Sequence, residues 1–306
     1  MTYVQRHPLQ SLGPIHPPKV DKNAIKPSVA RPINIRVKDP LDHYAPAIIH
    51  EPRNYSAEGS NGSAVVLVSG AGGGVSGPAG TDLYLLTPDE LAWPALFCAD
   101  QTIPGIYPSL ADKLTLLLSI PVIRLDYRLA ANPQHCTSDI IASFNYLSQH
   151  YRTSRFVLVG WSFGGSPCFS AAAEEPDRLR GVATIASQTA HTAGISSLSP
   201  RPLLLLHATD DLVLASACSE TLYRQYGSDG SRELKLFEGD DHGLSKHAPE
   251  VEGMLLAFAA KVLGFEKLLD TETMIQAGQD LVESSEERKK EMEEGRDLEE
   301  GEKLTY

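Results

Sequence analysis

The chain has 306 residues, of which 42% are hydrophobic and 22% are charged, a length that fits one large domain or two small ones. Its 27 basic and 39 acidic residues give a formal net charge of −12, which disfavours nucleic acids and anionic membrane surfaces as partners. No apolar run approaches the roughly 18 to 20 residues of a membrane-spanning helix, so we expect no membrane span.

The two ends of the chain differ in composition from its middle. Residues 1–32 are rich in proline, mildly basic and without clear periodicity, and we predict a proline-rich N-terminal arm. Residues 266–306 are crowded with acidic side chains and hold too few apolar residues for a core. We predict an acidic helix or tail there, whose main effect is to keep the protein soluble.

The expected location rests on features that the sequence lacks. The first thirty residues contain no apolar stretch of signal-peptide length. The four cysteines (Cys98, Cys136, Cys168 and Cys218) are too scattered to indicate a disulfide framework or a zinc site. We therefore expect a cytoplasmic protein with free thiols, and a peroxisomal or nuclear location stays open.

Residues 33–265 alternate short apolar runs with helical patterns, which predicts an α/β domain. The runs are continuously hydrophobic, as is typical of parallel strands with helices on both faces. The predicted strands are 64–69, 121–126, 156–160, 182–186, 203–207 and 234–237, and the predicted helices are 108–118, 138–150, 167–174, 218–226 and 251–263. Two weaker strands at 33–37 and 47–50 would add an antiparallel edge and bring the sheet to about eight strands.

A loop dense in glycine, residues 70–77, follows the first strong strand. Such a loop allows backbone N–H groups to approach a substrate oxygen closely. A phosphate-binding loop would need Gly-Lys-Ser/Thr at its end, and no lysine follows here. A dinucleotide site is also disfavoured, because no helix opens directly on the glycines with a matching acidic residue after the next strand.

The strongest chemical signal is Gly-Trp-Ser-Phe-Gly, residues 160–164, directly after a predicted strand and directly before a predicted helix. A nucleophilic serine on a sharp turn needs this context, since the flanking glycines leave room for the backbone to fold back. The helix that follows points its positive end toward any developing negative charge. We predict that Ser162 is a nucleophile.

Candidate partners for Ser162 come later in the chain, an acid before a histidine, each at the carboxyl end of a strand. For the acid we favour Asp211 over Asp210, which is more typical of a turn residue. For the base we favour His242 over His247, which we expect at the surface. His207 ends a buried strand, and we interpret it as a core or loop-bracing residue.

The third requirement is a pair of donors for the oxyanion that forms when a serine attacks a carbonyl. One donor should be the N–H of Phe163, the residue after the nucleophile. The second should come from Ala71 or Gly72 in the glycine loop.

Taken together, the motifs GWSFGG, HATDDLV, EGDDHG and SGAGGG resemble those of the α/β-hydrolase family over residues 33–265. One departure is Ser69-Gly70 at the oxyanion loop, where the family has His-Gly, so a side chain that often braces this loop is missing. The segment from Arg124 to Ala130 also resembles the one after the fourth strand in small esterases. The resemblance implies a mostly parallel sheet with helices on both faces.

The short stretch 187–202 is too brief for the lid domain of many lipases, so the resemblance narrows to short-capped dienelactone-hydrolase-like proteins and small esterases. It implies a serine hydrolase acting on a small or medium ester, thioester or lactone, with no metal or organic cofactor. We expect Trp161, Trp93 and Tyr84 to contact the substrate. The excursion 82–107 is either a cover over the pocket or a structural loop.

Two other functions stay open. The same fold could serve a biosynthetic acyltransferase or lyase that keeps the triad but hydrolyses simple esters poorly. The chain could also be a non-catalytic interaction protein that works through its arm or tail. The oligomeric state is not indicated by the sequence.

Overall fold

The computed structural model describes residues 28–78 and 105–269, and eight strands in these residues form one sheet. They are β1 (Val29–Arg36), β2 (Tyr44–Glu51), β3 (Ser63–Val68), β4 (Val122–Leu125), β5 (Arg155–Trp161), β6 (Leu179–Ile185), β7 (Leu203–Ala208) and β8 (Arg232–Phe237). In space they lie in the order β1-β2-β4-β3-β5-β6-β7-β8. Pairing is antiparallel from β1 to β2 and from β2 to β4, and parallel between all other neighbours, which confirms the predicted sheet.

Five helices cover the sheet within the described residues. They are α1 (Ile106–Leu118), α2 (Pro133–Tyr151), α3 (Gly165–Glu174), α4 (Ala217–Gln225) and α5 (Ala248–Leu263). Each matches a predicted helix to within a few residues, with α2 the largest difference. This helix begins at Pro133, five positions before the predicted start, because the Asn132 side chain accepts the N–H of His135 and proline suits a first helical turn.

Side chains that alternate along the central strands build two separate cores. Val66 and Val68 of β3 pack into the core that α2, α3 and α4 cover, whereas Val65 and Leu67 pack into the core under α1 and α5. All six residues of β3 are buried, as a strand between two helix layers requires. The carboxyl ends of the parallel strands therefore share one edge, where loops of distant sequence meet.

The antiparallel edge begins earlier than predicted. Strand β1 starts at Val29, so residues 29–32 of the predicted arm belong to the sheet. Pro32 is tolerated there because an edge strand leaves one row of backbone groups without a strand partner. The other residues of the predicted arm, 1–27, lie outside the described residues, as do residues 270–306 of the predicted tail.

A buried cluster of charges joins this edge to the centre of the sheet. Arg128, which follows β4, donates two hydrogen bonds to the carboxylate of Asp39, at 2.8 and 2.6 Å, and a third through Nε to Asp139. Asp39 lies in the connection between β1 and β2. The hydrogen bonds from Arg128 hold the pKa of Asp39 well below its ordinary value, against the opposing effect of burial.

The connection from β6 to β7 is short, as the sequence predicts. It contains a single 3-10 turn, Ala193–Ser197, so no helical lid is inserted at this point. Residues 82–104 of the predicted excursion lie outside the described residues. Within the parts of the chain that the structure does describe, no helix is both long and apolar enough to cross a bilayer.

Candidate active site

Ser162 occupies a sharp turn at the carboxyl end of β5. Its φ of 54° lies in the left-handed region, which costs an ordinary residue on the order of 1 kcal/mol or more. The glycines on either side allow this turn: a Cβ on Gly160 would lie 2.7 Å from the carbonyl oxygen of Gly164, and a Cβ on Gly164 would lie 2.4 Å from that of Ser69. A 3-10 turn over Ser162–Gly164 then leads directly into α3.

Ser162, His242 and Asp211 form a continuous hydrogen-bonded row. The Nε2 atom of His242 lies 2.9 Å from Oγ of Ser162, and its Nδ1 atom lies 2.7 Å from Oδ2 of Asp211. The three residues come from the ends of three different strands, β5, β7 and β8. In this order, Nδ1 of His242 donates to the carboxylate, which leaves Nε2 free to accept the serine proton.

Two consecutive backbone N–H groups hold the Asp211 carboxylate. Those of Val213 and Leu214 each donate to Oδ1 at 2.8 Å. Burial opposes ionisation of Asp211, but the hydrogen bonds from His242, Leu214 and Val213 outweigh it and lower its pKa below the ordinary value. Asp210, the alternative acid, instead accepts a hydrogen bond from the hydroxyl of Thr209 and is exposed.

His242 is positioned by Trp161 and by its own loop. The indole N–H of Trp161 donates to the carbonyl of His242 at 3.2 Å, and the two ring centroids are 5.8 Å apart. Trp161 is only 4% exposed, so these contacts place it behind the histidine.

His247, the alternative base, contacts a different carboxylate. Its Nδ1 donates to Oδ2 of Asp240 at 2.7 Å.

A second histidine contacts the same carboxylate. Nε2 of His207 lies 3.2 Å from Oδ2 of Asp211 and donates to the carbonyl of Leu214 at 2.8 Å, while Nδ1 accepts the hydroxyl of Ser219 at 2.7 Å. Burial lowers the pKa of His207, although Leu214 and Asp211 act in the opposite direction. The imidazole is therefore neutral near pH 7 and braces the loop after β7.

The glycine loop lies directly against the serine turn. A Cβ on Gly70 would lie 3.1 Å from the Trp161 ring, and the Ser69 carbonyl lies close to Gly164. Ala71 is exposed and Gly72 half-buried, while Phe163 is 5% exposed. The start of the glycine loop thus contacts the turn that carries Ser162 and Phe163, and the donor roles of Ala71, Gly72 and Phe163 stay a prediction. Trp93 and Tyr84 lie outside the described residues.

Comparison with known families agrees with this architecture. Residues 60–216, just over half of the chain, match a family described as the alpha/beta hydrolase fold. The chain belongs to the α/β-hydrolase family. No curated protein matches it in sequence.

Solved structures resemble this α/β-hydrolase in fold at low sequence identity. Est1E from Butyrivibrio proteoclasticus is 14% identical with a TM-score of 0.55, and the match covers 76% of this chain and 99% of that one. The esterase domain of a Rhodothermus marinus protein is 16% identical with a TM-score of 0.54, over 76% and 99% of the two chains. A dienelactone hydrolase from Anabaena variabilis is 14% identical with a TM-score of 0.50, over 74% and 96%.

Sequence reasoning missed the contacts that hold Asp211 and the glycine loop of this α/β-hydrolase in place. The contact between His207 and Asp211 had a weak signal, since the two residues lie four apart at the end of a buried strand. The contacts of Asp126 with Gly74 and of Tyr127 with Ser69 had no sequence signal, apart from the resemblance of residues 124–130 to small esterases. These partners are 52 and 58 residues apart in sequence, and only the pairing of β3 with β4 brings them together.

Proposed function

We propose that this protein is a serine hydrolase that cleaves a small or medium ester, thioester or lactone. The observation that carries the proposal is the hydrogen-bonded row from Ser162 through His242 to Asp211. A carboxylate, an imidazole and a hydroxyl in series turn a serine into an effective nucleophile near neutral pH. The fold alone would not support this conclusion, because it hosts many activities.

In the first half of the proposed reaction, Ser162 is acylated. Its Oγ attacks the substrate carbonyl while its proton moves to Nε2 of His242, and Asp211 stabilises the resulting imidazolium. The negative oxygen of the tetrahedral intermediate accepts hydrogen bonds from the N–H of Phe163 and that of Ala71 or Gly72. His242 then gives its proton to the departing alcohol or thiol as the bond to the acyl carbon breaks.

In the second half, water releases the acyl group. Nε2 of His242 takes a proton from a water molecule, whose oxygen attacks the acyl carbon. The second tetrahedral intermediate uses the same two donors. Its collapse breaks the bond to Oγ, returns the proton from His242 to Ser162 and frees the carboxylic acid.

The surroundings of the row favour a modest substrate with an apolar part. The short connection between β6 and β7 leaves that side of the site without a helical lid. Leu212, directly after Asp211, is 99% exposed, and Val213 is 63% exposed. Exposed apolar side chains directly after Asp211 suit contact with an acyl or alcohol group of the substrate. Contact of Trp161, Trp93 and Tyr84 with substrate stays part of the proposal.

The expected cytoplasmic location also belongs to this proposal. Three cysteines of the described residues, Cys136, Cys168 and Cys218, are free thiols, which fits a reducing compartment. A small-molecule ester is the expected partner, and the net charge of −12 disfavours a nucleic acid.

The test combines labelling by a fluorophosphonate probe with turnover of p-nitrophenyl acetate. We expect the unmodified protein to do both, and Ser162→Ala to lose labelling and lower kcat by roughly 10⁴-fold or more. His242→Gln should lose nearly all turnover. As matched controls, Ser196→Ala and His247→Gln replace the same residue types outside the row and should retain most activity.

Two results would contradict the proposal. Labelling without turnover of any short ester would indicate an acyltransferase or a lyase that keeps the same activated serine. A folded protein that neither labels nor turns over would indicate a binding protein.

A further inference from the structure

The first part of the glycine loop, residues 70–74, is anchored on both sides by two consecutive residues, Asp126 and Tyr127, that follow β4. At the near end, the hydroxyl of Tyr127 donates to the carbonyl of Ser69 at 2.8 Å. At the far end, Oδ1 of Asp126 accepts the N–H of Gly74 at 2.7 Å and also that of Tyr127 at 2.7 Å. The four residues between these anchors, 70–73, include Ala71 and Gly72, one of which is the expected second oxyanion donor.

Tyr127 also contacts the other side of the site. Its ring packs edge-on against the ring of Phe163, with centroids 5.9 Å apart and planes at 85°. The N–H of Phe163 is the first expected oxyanion donor. A single side chain therefore touches the residue that carries one donor and holds the start of the loop that carries the other.

The loop cannot hold itself with its own side chains. Residues 70–74 consist of four glycines and one alanine, and glycine gains more conformational freedom than any other residue when it is released. Within the loop, the N–H of Gly73 donates to the carbonyl of Gly70 at 3.1 Å, and the hydroxyl of Ser69 donates to the carbonyl of Gly74. Both bonds join residues within 69–74, so bonds from outside this segment are needed to fix it relative to the sheet.

We propose that Tyr127 and Asp126 are positioning residues. They hold the two expected oxyanion donors, the N–H of Phe163 and that of Ala71 or Gly72, in a fixed position relative to each other. This inference rests on the proposed function, since it assigns no new reaction to the site. Backbone donors stabilise an oxyanion only if they are aimed at it before the charge forms. Displacement by a fraction of an ångström at each end of the loop weakens catalysis without changing the nucleophile or the base.

The chemistry of both residues suits this task. Tyr127 is fully buried, and burial raises the pKa of its hydroxyl well above the ordinary value, so it stays a donor throughout the pH range of an assay. Asp126 is also fully buried and uses one oxygen for two N–H groups. The hydroxyl of Tyr127 bonds to the Ser69 carbonyl and leaves the row of Ser162, His242 and Asp211 untouched.

The decisive variant is Tyr127→Phe, which removes one hydroxyl and keeps the ring on Phe163. Its matched control is Tyr226→Phe, because Tyr226 is 1% exposed and its hydroxyl donates to the carbonyl of Arg201 at 2.8 Å, away from the site. Both variants should lower the unfolding temperature to a similar extent. Only Tyr127→Phe should lower kcat for p-nitrophenyl acetate, by about tenfold, less than the roughly 10²-fold or more expected for losing a donor outright.

Three further readouts separate positioning from a general loss of structure. KM should change less than twofold and the pH profile of kcat should keep its midpoint, because the base is untouched. The rate of fluorophosphonate labelling should fall with kcat, since the phosphonyl oxygen needs the same donors. Asp126→Asn, which retains an oxygen acceptor, should keep most activity, whereas Asp126→Ala should lose it.

Equal kcat values for Tyr127→Phe and Tyr226→Phe would overturn the inference and leave the proposed function intact. A shifted pH midpoint in Tyr127→Phe would also overturn it, because the effect would then act through His242. If the unmodified protein neither labels nor turns over, the proposed function fails and this inference fails with it. Should Asp126→Ala not fold, Tyr127→Phe still decides.

Discussion

Two adjacent aspartates, Asp210 and Asp211, have opposite surroundings. Asp211 accepts hydrogen bonds from two backbone N–H groups and from His242, and its side chain is shielded from solvent. Asp210 faces outward and contacts Thr209. A carboxylate orients and stabilises an imidazolium only from within hydrogen-bond distance, so of these two neighbours only Asp211 is placed to act on His242 as we propose.

We expect Asp211→Asn to lower kcat for p-nitrophenyl acetate by roughly 10³ to 10⁴-fold, because an amide favours the wrong tautomer of His242. Asp210→Asn is the matched control and should stay within about twofold of the unmodified protein. Steady-state kinetics at pH 7.5 make the comparison. If Asp211→Asn kept as much activity as Asp210→Asn, Asp211 would not be the acid that orients His242.

At the scale of a single element, the turn between β5 and α3 depends on close backbone approach. A Cβ on Gly164 would lie 2.4 Å from the carbonyl oxygen of Ser69 and 2.8 Å from that of Val68. Both neighbours belong to β3 or its end, so they cannot move without displacing the strand that leads into the glycine loop. The serine turn and the glycine loop are therefore one packed unit.

Gly164→Ala should destabilise the protein by about 1 to 3 kcal/mol, as overpacking does, and should also lower kcat because the glycine loop is displaced. Gly59→Ala is the control, since the nearest atom to its added Cβ is Oγ of Ser56, the end of a short side chain on an exposed loop. Urea unfolding followed by circular dichroism measures the difference. Equal midpoints for the two variants would refute the close packing.

Elements were predictable where their pattern is local, and less so at their ends. The strand β3 was found because six consecutive buried residues are all apolar or small. The first turn of α2 was missed because Gln134 and His135 interrupt the apolar pattern, although Asn132-Pro133 is a recognisable helix start. Likewise, the start of β1 is hard to predict because Arg31 and Pro32 are both exposed and interrupt the alternating pattern, and proline is rare within strands.

At the scale of the whole molecule, the contacts between segments far apart in sequence were the hardest to predict. The proximity of Ser162, Asp211 and His242 was predictable for two reasons. Each residue directly follows a strand, and serine, acid and histidine come in the chain order that is typical of the α/β-hydrolase fold. The ion pair between Arg128 and Asp39 was not predictable, since 89 residues separate them and neither lies in a recognisable motif. Only the pairing of β2 with β4 brings these segments together.

Asp39→Asn should lower the free energy of unfolding at pH 7 by about 3 kcal/mol, because it leaves the buried Arg128 guanidinium with one partner fewer. Since the pKa of Asp39 is lowered in the folded state, its contribution is complete above about pH 4, the unfolded value, and is lost as the pH falls further. The gap between the two proteins should therefore narrow below about pH 4.

Asp42→Asn is the control for this prediction. Asp42 pairs with Arg36 at 3.2 Å, but both side chains are more than half exposed, at 58% and 57%. Such a surface pair contributes at most about 1 kcal/mol. Urea titrations from pH 3 to pH 7 compare the three proteins, and an Asp39→Asn variant as stable as Asp42→Asn would show that the buried pair does not anchor the edge.

The position of Trp161 gives the site an optical reporter of its own. The chain has two tryptophans, Trp161 and Trp93, and the first lies in ring contact with His242. Any movement of the His242 loop must therefore change the surroundings of this indole. In a chain that carries Trp93→Phe, the fluorescence of Trp161 would thus report on that loop, without substrate and without turnover.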